Sequence, residues 1–215
     1  MRKIVLLTTL LVMGLIAQTL QAASLPALEI YGSAGLGGLI SGDQKDIPDY
    51  MLLPTPDSYG LAMAMLGMRL YVIEPIGFEG FVAFSTVSAK AKGYDSLPLY
   101  QYTLFNGGLI LRYNIGLGMG GALSLHAGGG ACYAGLKIDK EFDDIAIAYS
   151  GGYPFKSTKD GLGWYGKAGL AFHIDRTWFL DLTALYFSTK PSFEPSPSLN
   201  GNLFVVAFGA GVALF

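Results

Sequence analysis

Charged side chains are scarce in this chain, and most sit singly among apolar neighbours, so their chemistry depends on what lies beside them in space. Lysine, arginine, aspartate and glutamate together make up 14% of the 215 residues. With Glu74-Pro75 taken as the centre of a tight turn, counting outward places Arg69 directly opposite Glu79. Directly opposed residues of an antiparallel pair have Cβ atoms about 5 Å apart, close enough for a charge-assisted hydrogen bond. Arg112, His126, Lys167 and Asp181 fall on the corresponding face of their own segments, with Asn106, Ser124 and His173. Charges taken out of water must be paired, so this set predicts a polar plug.

Other chemistries fit the same residues less well. Ser124 and His126 share a face and invite an acyl-transfer nucleophile and base. Their depth near the short connections keeps them from outer-leaflet lipid, and no Gly-x-Ser-x-Gly elbow occurs. Gly116-Leu-Gly-Met-Gly-Gly121 matches a dinucleotide-binding pattern in form, but that pattern needs a helix after it and an alternating segment follows. Asp139, Glu141, Asp143 and Asp144 offer oxygen ligands without the glycine at the bend that a calcium loop requires. His126 and His173 lie on different segments, with no Cys or carboxylate at metal-ligand spacing. The residues imply no enzyme, no cofactor and no metal.

The elements that position these groups are strands. Eight segments alternate apolar with polar or small residues: about Leu28 to Ile40, Tyr59 to Val72, Phe78 to Ser88, Leu99 to Tyr113, Leu123 to Ile138, Leu162 to Ile174, Trp178 to Tyr186 and Leu203 to Phe215. Three short connections, at Glu74-Pro75, Asn114 to Leu117 and Asp175-Arg176, alternate strictly with four long ones, Ser41 to Ser58, Ala89 to Pro98, Asp139 to Lys159 and Ser188 to Asn202. Each segment is long enough for a tilted strand across a bilayer, which takes roughly 9–11 residues. Tight turns at one end and long loops at the other are the plan of a membrane-spanning barrel. Closure follows from the solvent, because an open edge in hydrocarbon leaves unpaired N–H and C=O groups at several kcal/mol each. The expected fold is all-β, an eight-stranded antiparallel up-and-down transmembrane β-barrel.

Composition agrees. The chain is 52% hydrophobic, with 30 glycines, 13 phenylalanines and 13 tyrosines, and beyond the leader no apolar run reaches the 18 or so residues of a spanning helix. Arg2 and Lys3, the apolar stretch Ile4 to Leu20, and the small Ala22 and Ala23 have the three parts of an export signal. Residues 1–23 are expected to be a signal peptide, cleaved after about Ala22 or Ala23, and 24–215 the barrel domain; an uncleaved anchor is the competing reading. Removing Arg2 and Lys3 from 14 basic residues leaves 12 against 16 acidic, a charge of about −4 that offers no surface for nucleic acid. Cys132 is the only cysteine, so no internal disulfide forms.

Turning the apolar face of every strand toward lipid fixes the inward set. Its polar members lie near the short turns. Leu61, Met63, Met65, Tyr100, Tyr102, Leu104, Leu185 and Phe187 lie toward the long loops. The upper set is either a packed core or an apolar cup for a small hydrophobic molecule, and the residues alone leave both open.

The stretch Gly161-Leu-Gly-Trp-Tyr-Gly-Lys-Ala-Gly-Leu-Ala-Phe-His-Ile-Asp-Arg-Thr-Trp-Phe-Leu-Asp-Leu-Thr-Ala-Leu-Tyr-Phe187 resembles strands six and seven of the OmpW family of small outer-membrane barrels. Spaced glycines, Arg-x-Trp at the turn and the aromatic end of strand seven carry the resemblance. One departure is the C-terminus, where Phe215 fits an aromatic-x-aromatic assembly signal and Ala213 does not. The resemblance implies location in the outer membrane of a diderm bacterium, with outer-membrane lipid and the assembly machinery as partners. It also implies passive passage of small hydrophobic solutes through a lateral opening, and so favours the cup. The alternative is a barrel that transports nothing, whose loops, Asp139 to Lys159 above all, engage an extracellular ligand or stabilise the envelope.

Overall fold

The computed structural model describes residues 28–41, 58–90, 97–116, 122–138, 158–191 and 201–214. Residues 1–27, with the expected leader, and the interiors of the four long loops lie outside them. Eight strands follow in order: β1 (Leu28–Ser41), β2 (Ser58–Ile73), β3 (Ile76–Lys90), β4 (Leu97–Gly116), β5 (Ala122–Ile138), β6 (Thr158–His173), β7 (Trp178–Pro191) and β8 (Gly201–Leu214). Each pairs antiparallel with the next, and β1 pairs with β8 from Leu28↔Leu214 to Ser41↔Asn202, so the barrel closes. The expected fold is what forms.

Alternation decides which side chains go where. On β2, Leu66, Met68, Leu70 and Val72 are exposed on the outer wall while Met65, Arg69 and Tyr71 are buried. The same holds on β6 for Leu170 and Phe172 against Lys167 and His173. A soluble protein would hide such outward residues; in lipid they face their own solvent. The last strand, apolar on both faces, is settled by the register. Leu203, Val205, Ala207 and Ala213 point inward, and Phe204, Val206, Phe208 and Leu214 point outward.

The strands outrun the bounds read from the sequence. Pairing continues through Gly116↔Ala122, so Asn114 to Gly116, expected in the second short turn, belong to the strand, and 117–121 lie outside the described residues. Toward the long loops β3 extends to Lys90, β4 begins at Leu97, β6 at Thr158, and β7 runs on to Pro191. Polar residues at these ends hid the ladder, because the hydrophobic pattern stops where lipid stops while backbone pairing does not. The turn at Glu74-Pro75 stands as expected, with a cis peptide between the two residues.

Close approach requires glycine at inward sites such as Gly169 and Gly211. A Cβ on Gly169 would lie 2.5 Å from the Leu182 carbonyl oxygen and 2.6 Å from His126 Nε2, and one on Gly211 would run into the Phe179 ring. These glycines make room for bulky lumen side chains from neighbouring strands.

Candidate functional site

The short-turn half of the lumen is a network of ion pairs. Arg69 on β2 donates from Nε to Glu79 Oε1 at 3.0 Å, from Nη1 to Glu29 Oε2 at 3.3 Å, and from Nη2 to Asp181 Oδ2 at 2.6 Å. Arg112 donates to Glu29 Oε1 at 2.8 Å and to Glu74 Oε1, and Lys167 Nζ donates to Glu79 Oε1 at 2.6 Å. The cations Arg69, Arg112 and Lys167 thus interlock with the carboxylates of Glu29, Glu74, Glu79 and Asp181, all buried but Glu74, which is partly exposed beside its turn. Thr183 donates its hydroxyl to Asp181, and His126 Nε2 lies 3.2 Å from the Thr183 oxygen.

The opposed placement of Arg69 and Glu79 is met by the register and the bond. A simple pair, however, understates the arrangement: Glu79 holds Lys167 as well, and Arg69 is shared among three carboxylates. Glu29 and Glu74 are the residues that sequence reasoning left out of the plug. Glu29 carried a signal, since it alternates with outward Leu28 and Ile30 on β1. Ser124 donates to Asn114 at 2.8 Å rather than to His126, so no nucleophile–base couple is assembled there.

Aromatic rings lie against the charged layer. The Arg69 guanidinium carbon stands 4.4 Å from the Tyr31 ring centre and that of Arg112 3.6 Å from Tyr71. Lys167 Nζ lies 5.6 Å from the Phe81 ring centre. Phe81 meets Tyr165 edge-on at 5.1 Å and Phe187 at 6.3 Å. Such contacts desolvate the cations without leaving them unattended. Tyr31, Phe81, Tyr165 and Phe187 form a shelf between the charged floor and what lies above it, while Tyr71 lies on the short-turn side of Arg69.

Above the shelf the lumen is apolar and filled. Leu61, Met63, Met65, Tyr100, Tyr102, Leu104, Leu185 and Phe187 are all buried in one cluster, joined by Leu39, Val87, Leu99, Leu136, Leu203 and Val205. Eight strands leave an interior just wide enough for side chains to fill it. Cys132 is buried in the same cluster.

The wall around this cluster is not uniform. The β1–β2 register ends at Gly37↔Leu61, whereas β1–β8 continues to Ser41↔Asn202 and β2–β3 to Ser58↔Lys90. The seam toward the long loops, next to inward Leu39 and Leu61, therefore has the shorter ladder.

At the opposite end the Asp175 turn is held by its own side chain. Trp178 and Thr177 donate their backbone N–H groups to Asp175 Oδ1 at 2.8 and 2.6 Å. These two donors stabilise the carboxylate and hold its pKa below the ordinary value. Ala213, where an aromatic residue was expected, points inward opposite Glu29 and is buried. The acidic group at Asp139 to Asp144 and most of the third long loop lie outside the described residues.

A family model described as outer membrane protein beta-barrel domain matches residues 7–213. Among solved structures, the outer membrane protein OprG from Pseudomonas aeruginosa aligns over 90% of this chain and 98% of its own, at 15% identity and a TM-score of 0.52. Neisserial surface protein A aligns over 87% and 96%, at 13% identity and 0.49. Ail, the attachment invasion locus protein of Yersinia pestis, aligns over 88% and 100%, at 12% identity and 0.43. A comparison with curated protein sequences finds no match. At these identities the likeness to OprG is one of fold.

Proposed function

The chain belongs to the family of outer-membrane protein β-barrels, and on that premise we propose that it binds small hydrophobic molecules at its outer mouth and passes them passively into the membrane. The observation that carries this reading is the division of the lumen: a charged floor below, an apolar cluster above. A polar-solute pore needs hydrated groups along its whole length, and here the charged ones are confined to one half. An apolar solute gains roughly 25 cal/mol per Å² of surface buried among Leu61, Met63 and Tyr102, and gains nothing by meeting Arg69.

The floor bars the way to the periplasm, so a solute that displaces the upper side chains must leave sideways. The shorter β1–β2 ladder beside Leu39 and Leu61 supports that seam as the exit. The OmpW resemblance supports the same route. The lumen acts by binding and release, with no bond made or broken. Export by a cleaved leader, residues 1–23, belongs to the same proposal.

The test is uptake of an apolar solute into vesicles or cells carrying the protein. Leu61→Asn, Met63→Asn and Tyr102→Gln together are expected to slow uptake about tenfold, the effect of removing near 1.4 kcal/mol of favourable burial. Uptake at the unaltered rate, with the barrel folded, would refute transport through the lumen.

A further inference from the structure

Three donors converge on one oxygen of Glu79 and none on the other. Tyr31, Arg69 and Lys167 all donate to Oε1, at 2.9, 3.0 and 2.6 Å. Oε2 is buried and accepts no hydrogen bond among the described residues. Asn106 Oδ1 and the Tyr165 hydroxyl are in the same condition. Asn106 turns its amide nitrogen toward the Phe81 carbonyl at 3.4 Å, which leaves the oxygen as its free end. Glu79, Asn106 and Tyr165 are 4%, 8% and 1% exposed, so bulk water does not serve these atoms.

The register gathers them. Glu79, Gly108, Gly130 and Tyr165 form one inward row across β3, β4, β5 and β6. In the next row toward the long loops, Asn106 and Cys132 stand above the two glycines. Glu79 and Tyr165 thus flank a stretch of wall that carries no side chain, with Asn106 over it. The Tyr165 hydroxyl is within electrostatic reach of both Glu79 and Cys132. One row higher lie Ala83, Leu104 and Ala134, all buried and apolar.

These groups select an occupant. A carboxylate oxygen and an amide oxygen only accept, while a phenolic hydroxyl both donates and accepts. A buried acceptor left without a donor costs free energy, so the ledge calls for a donor and the row above it for hydrocarbon. Arg69 and Lys167 already offset the charge of Glu79, which suits a neutral donor better than a second cation.

We propose that this ledge binds the hydroxyl of a small apolar alcohol or phenol. The ligand O–H is shared between Glu79 Oε2 and Asn106 Oδ1, its oxygen accepts from the Tyr165 hydroxyl, and its hydrocarbon body lies against Ala83, Leu104 and Ala134. The assignment rests on the reading of the upper lumen as a solute site and names the class of solute: hydrocarbon bearing one hydroxyl in place of bare hydrocarbon.

The test compares naphthalene, 2-methoxynaphthalene and 2-naphthol for retention by the full-length protein in nanodiscs, corrected for nanodiscs without protein. The wild type is expected to hold 2-naphthol about tenfold more tightly than the methyl ether, which shares the skeleton but lacks the donor. Tyr165→Phe, which keeps the ring and removes the hydroxyl, should cut that preference severalfold, and Asn106→Leu should bring it near parity. If Asn106→Leu fails the heat-induced gel shift of a folded barrel, Tyr165→Phe carries the test alone. Equal affinity of the wild type for 2-naphthol and its ether, as when water alone pairs the ledge, would overturn the assignment and leave the apolar solute site standing. So would a preference that Tyr165→Phe does not change. Retention of none of the three compounds would overturn both.

Discussion

Arg69 on β2 and Asp181 on β7 share no ladder, yet Arg69 Nη2 and Asp181 Oδ2 stand 2.6 Å apart across the lumen. The guanidinium thereby connects β1, β3 and β7 through Glu29, Glu79 and Asp181. A planar fork with donors on three nitrogens suits this position, and a lysine would not reproduce it.

Replacing Arg69 by Ala leaves three carboxylates facing one another without their shared cation. Breaking a buried ion pair from one side costs about 3–5 kcal/mol. Urea unfolding in lipid vesicles should show a loss of that order, with Arg69→Lys recovering only part of it.

Removing Glu79 acts on a different residue. Arg69 keeps Glu29 and Asp181, but Lys167 loses the carboxylate that it contacts at 2.6 Å. Glu79→Ala should therefore loosen the floor beneath the aromatic shelf. In planar bilayers the variant is expected to conduct ions measurably more than the wild type, and equal conductance would count against the floor as the seal.

Gly169 allows a test of crowding. A methyl group there would press on the Leu182 carbonyl, His126 Nε2 and the Thr183 hydroxyl at once. Gly169→Ala should destabilise the barrel by about 1–3 kcal/mol, the range for overpacking, read as a lowered unfolding midpoint.

The Asp175 turn gives a pH dependence with a defined sign. Its carboxyl is held below the ordinary value by the Trp178 and Thr177 N–H groups. Its stabilising effect is thus complete above about pH 4, where an unfolded aspartate is ionised, and vanishes as pH falls through the lower folded value. Wild type and Asp175→Ala should differ in stability at neutral pH and converge in strong acid.

The strands, their faces and the Arg69–Glu79 opposition were legible in the sequence because lipid outside and side chains inside impose a period of two on every segment. The network beyond that pair was not. Glu74 sits in a turn, where alternation assigns no face, and the sharing of Arg69 depends on which strands meet across the lumen. Whether Met63 and Tyr102 line a cup or pack a core is a matter of volume, which a one-dimensional pattern does not record.

Pairing of Leu28 with Leu214 joins the opening strand to the final one. The opening strand of the barrel must therefore wait for the last before its second edge is satisfied. Sequence-distant pairing of this kind is slow. Until β8 pairs, both margins of the unfinished sheet carry unmatched backbone groups, and loss of β8 alone would leave seven strands with two open edges against hydrocarbon.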